Sequence, residues 1–548
     1  MALGPLIVQS DRTVLLEVAH PDAEAARHAL AVFAELERAP EHIHTYRITR
    51  LGLWNARAAG HEADEMLDVL ERFAKFPVPA SVSAEIRETV ARYGKLVISR
   101  DDDGELIVSS DDPAVLLQIS KAKHVAPLLE GPIGESGFRV QAWARGELKQ
   151  QLVKLGWPAE DLAGYTPGTP HAIALDESEW QLRDYQRSAV DHFFEGGSGV
   201  VVLPCGAGKT LVGAGAMATA STSTLILVTN TVSARQWRDE LLRRTTLTEE
   251  EIGEYSGEIK EIKPVTIATY QILTARRKGV YTHLSLLDAL DWGLIVYDEV
   301  HLLPAPVFKL TAELQARRRL GLTATLVRED GREGDVFSLI GPKRFDAPWK
   351  DIEAQGYISP AKCYEVRVDL PYETRMEYAA ASDDERYRIA ATAPAKHELV
   401  KALIRKHEGE NILVIAQYLD QIDSIAEELG VPKLTGQTPI TEREELFQAF
   451  REGREKVLVV SKVANFSVDL PDASVAVQIS GSYGSRQEEA QRLGRLLRPS
   501  SSGVTASFYT LVSRETVDQD FAQNRQRFLA EQGYSYEILD ADAILAPA

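Results

Sequence analysis

The sequence predicts an α/β fold: two parallel-sheet lobes in tandem, preceded by an α+β N-terminal region. Three observations carry this. From residue 199 onward, short β-branched runs alternate with amphipathic helical stretches, the pattern of strand–helix crossovers. The pattern occurs twice, on either side of a polar stretch at 371–394. A glycine turn, Gly206-Ala207-Gly208-Lys209-Thr210, falls between the first strand and first helix of the first series.

Within the first 175 residues, helical periodicity at 23–37 and 63–75 is followed by short strands near 95–99 and 105–108. Gly104, after three aspartates, supplies their hairpin turn. A further helix at 146–155 ends at Gly156-Trp157-Pro158, and 161–177 reads as a linker. The first lobe draws strands from 199–203, 225–229, 265–268, 294–297 and 320–322; the second draws them from 412–416, 456–461, 475–479 and 505–511, with helices at 395–407 and 442–454. The expected units are 1–110, a small accessory module with linker at 111–175, a lobe at 176–345 and a lobe at 346–548. The stretch 371–394, with Tyr372, Tyr378 and Tyr387, reads as two short helices, either an inserted arm or a connection whose tyrosines pack on the nearer lobe.

Composition narrows the function classes. At 548 residues, 44% hydrophobic and 26% charged, the chain is that of a soluble globular protein of three or four domains. No apolar run approaches the roughly 18 residues that span a bilayer, and the first residues lack a positive leader, so a cytoplasmic, non-membrane protein is expected. Two cysteines, Cys205 and Cys363, exclude a disulfide framework and a cysteine-built zinc or iron–sulfur centre. A net charge of −20 argues against coating nucleic acid by bulk attraction. Basic clusters at Arg243–Arg244, Arg276–Lys278 and Arg317–Arg319 are either solvated surface or the local positive wall of a groove.

The chemistry resides in three motifs. In Leu203-Pro204-Cys205-Gly206-Ala207-Gly208-Lys209-Thr210, backbone N–H groups at a helix start suit phosphate oxygens, Lys209 the β and γ phosphates, and the Thr210 hydroxyl Mg²⁺. Asp298 and Glu299 end a second buried strand, the first placed to hold Mg²⁺ through water and the second to polarise an attacking water; His301 follows as a relay. Far downstream, Gln491, Arg495 and Arg498 form a segment that taken alone is a salt-bridged helix, but behind a phosphate loop supplies guanidinium fingers to a γ-phosphate. Arg183, Tyr185 and Gln186 lie where an adenine-recognition element belongs, with an amphipathic surface helix as the rival reading. Thr323-Ala324-Thr325 ends a strand and either couples the site to the other lobe or caps a turn. Thr229, Asn230, Arg235, Gln236, Thr269 and Tyr270 fall at strand ends suited to backbone phosphates of a bound strand, or to ordinary capping.

These motifs, in this order, resemble those of superfamily 2 helicases, whose two lobes are RecA-like. Arg328-Glu329-Asp330 resembles the RED motif of XPB-type (xeroderma pigmentosum group B) DNA helicases. Ser461-Lys462-Val463-Ala464-Asn465-Phe466-Ser467-Val468-Asp469-Leu470-Pro471 is similar to that family's motif V, and 371–394 sits where the family carries its thumb. The stretch from Pro5 through about Leu96 resembles the family's N-terminal domain, whereas 111–175 matches least and is expected to be damage-recognition-like. The resemblance implies an ATP- and Mg²⁺-dependent 3′ to 5′ DNA motor with a repair role, a bacterial member of the family, acting on single-strand/duplex junctions. Arg328, Glu329 and Asp330 would then assist strand separation and Asp469 coupling. A nuclease or other repair protein is the expected partner, and a monomer the expected state. Two rivals stand beside unwinding: a duplex translocase, and a nucleotide-gated scaffold that recruits a partner without productive turnover.

Overall fold

The computed structural model describes residues 4–39, 42–204, 206–257, 259–277, 280–324, 332–347, 352, 361–461, 473–481, 505–531 and 536–546. Both lobes form as expected, each around a seven-stranded parallel sheet. The first runs Ile252–Tyr255, Val265–Thr269, Thr224–Val228, Leu294–Asp298, Arg318–Thr323, Ser198–Val202, Lys343–Asp346 across the sheet. The second runs Lys433–Leu434, Val457–Ser461, Ile412–Ala416, Val475–Gln478, Ala506–Ser513, Ala361–Val368, Tyr536–Asp540. Helices cover both faces, so the central strands are buried throughout; Thr224–Val228, Val265–Thr269 and Ile412–Ala416 have no exposed residue. Because all strands of the first sheet run one way, their C-terminal ends share an edge. Val202, Val228, Thr269, Asp298 and Thr323 lie along it.

The N-terminal region is α+β, as the sequence predicts. An antiparallel sheet ordered Leu6–Val8, Thr13–Glu17, Ile43–Ile48, Ala34–Arg38 packs with helices Ala23–Leu30, Arg50–Ala58, Ala63–Phe73 and Ala80–Arg92. The strands Leu96–Arg100 and Leu106–Ser109 belong to a separate five-stranded sheet with Gly137–Val140, Leu129–Ile133 and Ala159–Asp161. That sheet and its helices, Pro113–Lys121 and Arg145–Leu155, have a core of their own. Gly104 adopts φ +82° at the hairpin, and Gly156 ends the second helix at φ +89°.

Both N-terminal units dock on the first lobe. Gly146 packs so closely on Ala312 that an added Cβ would lie 2.4 Å from its carbonyl oxygen. Lys149 Nζ donates to Gln315 Oε1 at 2.7 Å and to Asp161 Oδ2 at 2.9 Å, while Arg145 pairs with Asp161 at 2.7 Å. Phe337, in the π-helical turn Val336–Ile340, lies 6.4 Å from each of Trp54 and Tyr93, ring centre to ring centre.

The stretch between the lobes forms the expected helix pair, Tyr372–Ala380 and Asp383–Ala391. Two of its tyrosines engage the second lobe: the Tyr387 hydroxyl donates to the Gly481 carbonyl, and Tyr378 Oη accepts from Val517 N at 3.0 Å. Tyr372 remains 78% exposed. The basic clusters also separate. Arg319 is fully buried, donating to the carbonyls of Leu339 and Gln315 at 2.8 Å each, so it braces the sheet rather than lining a surface. Arg243 and Arg244 pair with Glu240, and Arg317 with Asp291. Among the described residues, no helix is long and apolar enough to cross a membrane.

Candidate nucleotide site and strand interface

The strand Ser198–Val202 delivers the chain into the glycine turn, where Gly206 and Gly208 adopt φ +81° and +77°. Neither conformation suits a residue with a Cβ. Gly208 precedes the helix Lys209–Ala220 without contributing a side-chain cap, which leaves the first-turn N–H groups to an anion.

Gln186 and Tyr185 hold this turn in place. Gln186 Nε2 donates to the Ala207 carbonyl at 2.8 Å and the Tyr185 hydroxyl donates to the same oxygen at 2.7 Å. Gln186 Oε1 accepts from Arg183 N at 3.0 Å, and Arg183 Nη1 donates to Tyr185 Oη at 3.1 Å. Gln186 is 1% exposed, so the surface-helix reading does not hold at this position. An added Cβ on Gly208 would come within 2.4 Å of Gln186 Nε2.

Asp298 and Glu299 lie at the same sheet edge, one strand removed from the phosphate turn. Lys209 Nζ pairs with Glu299 Oε1 at 2.9 Å. Asp298 is fixed on three sides: Trp237 Nε1 donates to Oδ2 at 2.9 Å, Glu299 N donates to Oδ1 at 3.1 Å, and Tyr270 Oη donates to the Asp298 carbonyl at 2.8 Å. Burial, followed by the adjacent Glu299 carboxylate, pushes Asp298 up to about 6, against the opposing pull of Lys209 and Trp237. Burial pushes Glu299 the same way, but Lys209 and His301 outweigh it and hold Glu299 below the usual carboxylate range. The pair is thus split, with Glu299 the more readily ionised.

His301 extends the array. Its Nδ1 shares a 2.7 Å hydrogen bond with Thr323 Oγ1 and lies 3.5 Å from Glu299 Oε2. The Thr323 carbonyl accepts from Leu203 N at 2.9 Å, closing a path from the carboxylates back to the phosphate turn.

The expected strand contacts divide by exposure. Asn230 caps the helix Thr231–Arg244 by accepting from Ser233 N at 2.9 Å, and Arg235 and Gln236 are exposed on its first turns. Thr269 is buried where the helix Tyr270–Thr274 begins, and Tyr270 serves Asp298. Thr210 is half-buried beside Lys209. Cys205, Thr325, Arg328, Glu329, Asp330, Asp469, Gln491, Arg495 and Arg498 lie outside the described residues.

Sequence reasoning missed Trp237, although a signal was present. Gly213 sits inside the phosphate-loop helix, where glycine costs about 1 kcal/mol relative to alanine. An added Cβ there would meet the Trp237 ring at 2.4 Å.

Known proteins resemble the chain along its whole length. The family described as ERCC3/RAD25/XPB C-terminal helicase matches residues 352–546, Type III restriction enzyme, res subunit matches 179–328, and Helicase conserved C-terminal domain matches 6–131. A protein named DNA 3′-5′ helicase XPB from Kineococcus radiotolerans is 65% identical over 99% of this chain and 98% of its own. Its namesake from Mycobacterium tuberculosis is 62% identical over 100% of both. The Putative DNA 3′-5′ helicase Rad25 of Haloarcula marismortui is 37% identical over 98% of this chain and 84% of its own. With the phosphate turn and the Asp298–Glu299 pair sharing one sheet edge, and with identity of this extent, the chain belongs to the XPB family of superfamily 2 DNA helicases.

Proposed function

We propose that this chain is an ATP-dependent DNA 3′-5′ helicase or translocase with a role in repair, and that Lys209, Thr210, Asp298 and Glu299 carry its hydrolytic chemistry. The observation that carries the reading is the Lys209–Glu299 pair set beside Asp298 at one sheet edge. A site built only to bind nucleotide has no use for a general base there. ATP phosphates would lie against the N–H groups of 206–210, with Lys209 on the β and γ oxygens. A buried carboxylate raised to about 6 is short of positive charge, which suits a divalent cation. Thr210 and Asp298 would hold Mg²⁺, whose chemistry is to neutralise charge on the phosphates. Glu299 would accept the proton of the attacking water. Gln491, Arg495 and Arg498 would complete the γ-phosphate site from the second lobe, while Arg183 and Gln186 belong to its nucleotide-binding rim.

His301 and Thr323 would pass nucleotide state along the edge, with Thr325 and Asp469 continuing the coupling. DNA backbone contacts would involve Arg235 and the neighbourhood of Thr269, and Arg328, Glu329 and Asp330 would assist strand separation. A monomer in the cytoplasm that hands DNA to a nuclease or other repair partner completes the proposal. The central test is the ATPase rate with single-stranded DNA, duplex DNA, RNA and no nucleic acid. Stimulation by DNA is expected, and no stimulation by any of them would overturn the motor. Glu299→Gln separates motor from scaffold: loss of function with retained ATP binding supports turnover, whereas retained function supports the scaffold.

A further inference from the structure

Of the three basic clusters, that at 276–278 keeps its described cations exposed and without a carboxylate partner among the described residues. Arg243 and Arg244 are matched by Glu240, Arg317 by Asp291, and Arg319 is buried. Arg276 and Arg277, both exposed, form one strand of a two-stranded hairpin with Val280–Tyr281. The Arg276 guanidinium lies over the Tyr281 ring, 4.2 Å from its centre, and donates to the Tyr281 hydroxyl. Two residues on, His283 Nδ1 shares a 2.9 Å hydrogen bond with Tyr255 Oη, and Lys260 Nζ lies 5.2 Å from the centre of the Tyr255 ring. Among the described residues, Arg276, Arg277 and Lys260 have no carboxylate partner, in a chain with 81 acidic and 61 basic residues.

The position of the patch matters as much as its charge. Tyr255 ends the outermost strand of the first sheet, and the hairpin follows the helix Tyr270–Thr274 that leaves the neighbouring strand. Both therefore continue the edge that holds Asp298 and Thr269, outward past the last strand.

We propose that this patch is a binding site for one strand of DNA beyond the motor cleft. Arg276, Arg277 and Lys260 contact its phosphates, and Tyr281 and Tyr255 offer ring faces to its bases. Cations set among aromatic rings suit a single strand, whose bases are free to stack, rather than a duplex, whose bases are enclosed. The inference rests on the DNA-motor reading above.

Fluorescence anisotropy tests it, with full-length wild type, the Arg276→Ala/Arg277→Ala double variant, the Arg276→Lys/Arg277→Lys double variant and Tyr281→Ala. Each is titrated with labelled oligo-dT and with a blunt duplex between about 50 and 200 mM salt. Two lost phosphate contacts should lower the single-strand salt slope by about 1.4, at about 0.7 each, and the lysine pair should restore it. Tyr281→Ala should weaken oligo-dT about fivefold or more, the lower bound for one lost base stack. Arg276 and Arg277 are exposed and Tyr281 is half-buried; unchanged circular dichroism secures the fold of each variant. An unchanged salt slope in the alanine variant overturns the site, and equal losses on duplex overturn its single-strand character. Failure of wild type to bind any DNA overturns the motor reading and this site together.

Discussion

The indole N–H of Trp237 donates to Asp298 Oδ2 across 2.9 Å and thereby ties the helix Thr231–Arg244 to the strand-end carboxylate. The same helix exposes Arg235 near its start. A shift of that helix on binding a DNA strand would be felt at Asp298 within a single hydrogen bond. Trp237→Phe keeps an aromatic ring on the helix and deletes the donor, at the loss of Cη2 and Cζ3, the indole atoms that pack on Gly213. A hydrogen bond to a charged group contributes about 1.5–3 kcal/mol, so kcat for DNA-stimulated ATP hydrolysis should fall about tenfold or more. The Mg²⁺ concentration for half-maximal ADP binding, read by calorimetry, should rise. Unchanged values for both would show that the indole serves only packing.

Gln186→Glu addresses the turn itself. The substitution places a carboxylate oxygen against the Ala207 carbonyl in place of the Nε2 donor, in a site that is 1% exposed. Two acceptors facing one another in a buried site cost about 1–3 kcal/mol. ATP binding should weaken about tenfold, while DNA affinity without nucleotide stays within twofold. Equal weakening of both would point to a general loss of fold.

Asp161 neutralises two buried cations at the seam between the accessory unit and the first lobe. Burial alone pushes its carboxyl up, but Lys149 and Arg145 outweigh that and hold it far below the usual range. Lys149, also buried, is pushed down to about 8 despite Asp161. Asp161→Asn leaves both cations without their counter-charge, at a cost of about 3–5 kcal/mol. The melting temperature should drop by several degrees, and proteolysis should start near the 161–177 connection. A melting temperature within a degree of wild type would contradict this account.

His44 gives the N-terminal sheet an acid sensitivity with a defined window. Burial, and then the charge of Arg27, push its imidazole down to about 4 from an ordinary 6.5. The fold holds the neutral form, so the stability gained is full above pH 6.5 and is lost as pH falls toward 4. Its buried Nδ1 accepts no hydrogen bond. In His44→Leu the decline of melting temperature between those pH values should be shallower than in wild type. Parallel declines would assign the acid sensitivity elsewhere.

Much of the architecture was legible because central parallel strands are apolar on both faces. Ser198–Val202, Thr224–Val228, Leu294–Asp298 and Ile412–Ala416 therefore stand out in sequence without alignment. In the lobes, strands that escaped notice are polar or short: Lys343–Asp346 reads KRFD, Tyr536–Asp540 reads YEILD and Ile252–Tyr255 reads IGEY. The four strands of the N-terminal sheet also escaped, and Ala34–Arg38, within the stretch read as helix over 23–37, is a strand after a helix that ends at Leu30. Ala361–Val368 alternates charged with apolar residues, and its Glu365 is buried only because Arg367 and Gln526 satisfy it. Arg367 is a near neighbour, but Gln526 lies 161 residues away, and no local pattern reports a partner that distant.

The site followed the same division. Lys209, Asp298 and Glu299 were recognisable because the roles proposed for them require that residue type and position after a strand. Trp237 and Gln186 act through geometry between elements 61 and 21 residues apart, which no spacing rule encodes. Arg319 was misread as surface for a related reason: its partners are backbone carbonyls, and these leave no mark in sequence.

Glu299 adopts φ +49° and ψ 53°, a left-handed backbone that glycine and asparagine accept and glutamate resists. That conformation costs about 1–2 kcal/mol. A library selected for heat resistance alone should therefore drift at this position toward glycine or asparagine, gaining melting temperature while losing turnover. With Glu299 as the proposed general base, heat resistance and hydrolysis are expected to oppose one another at a single codon.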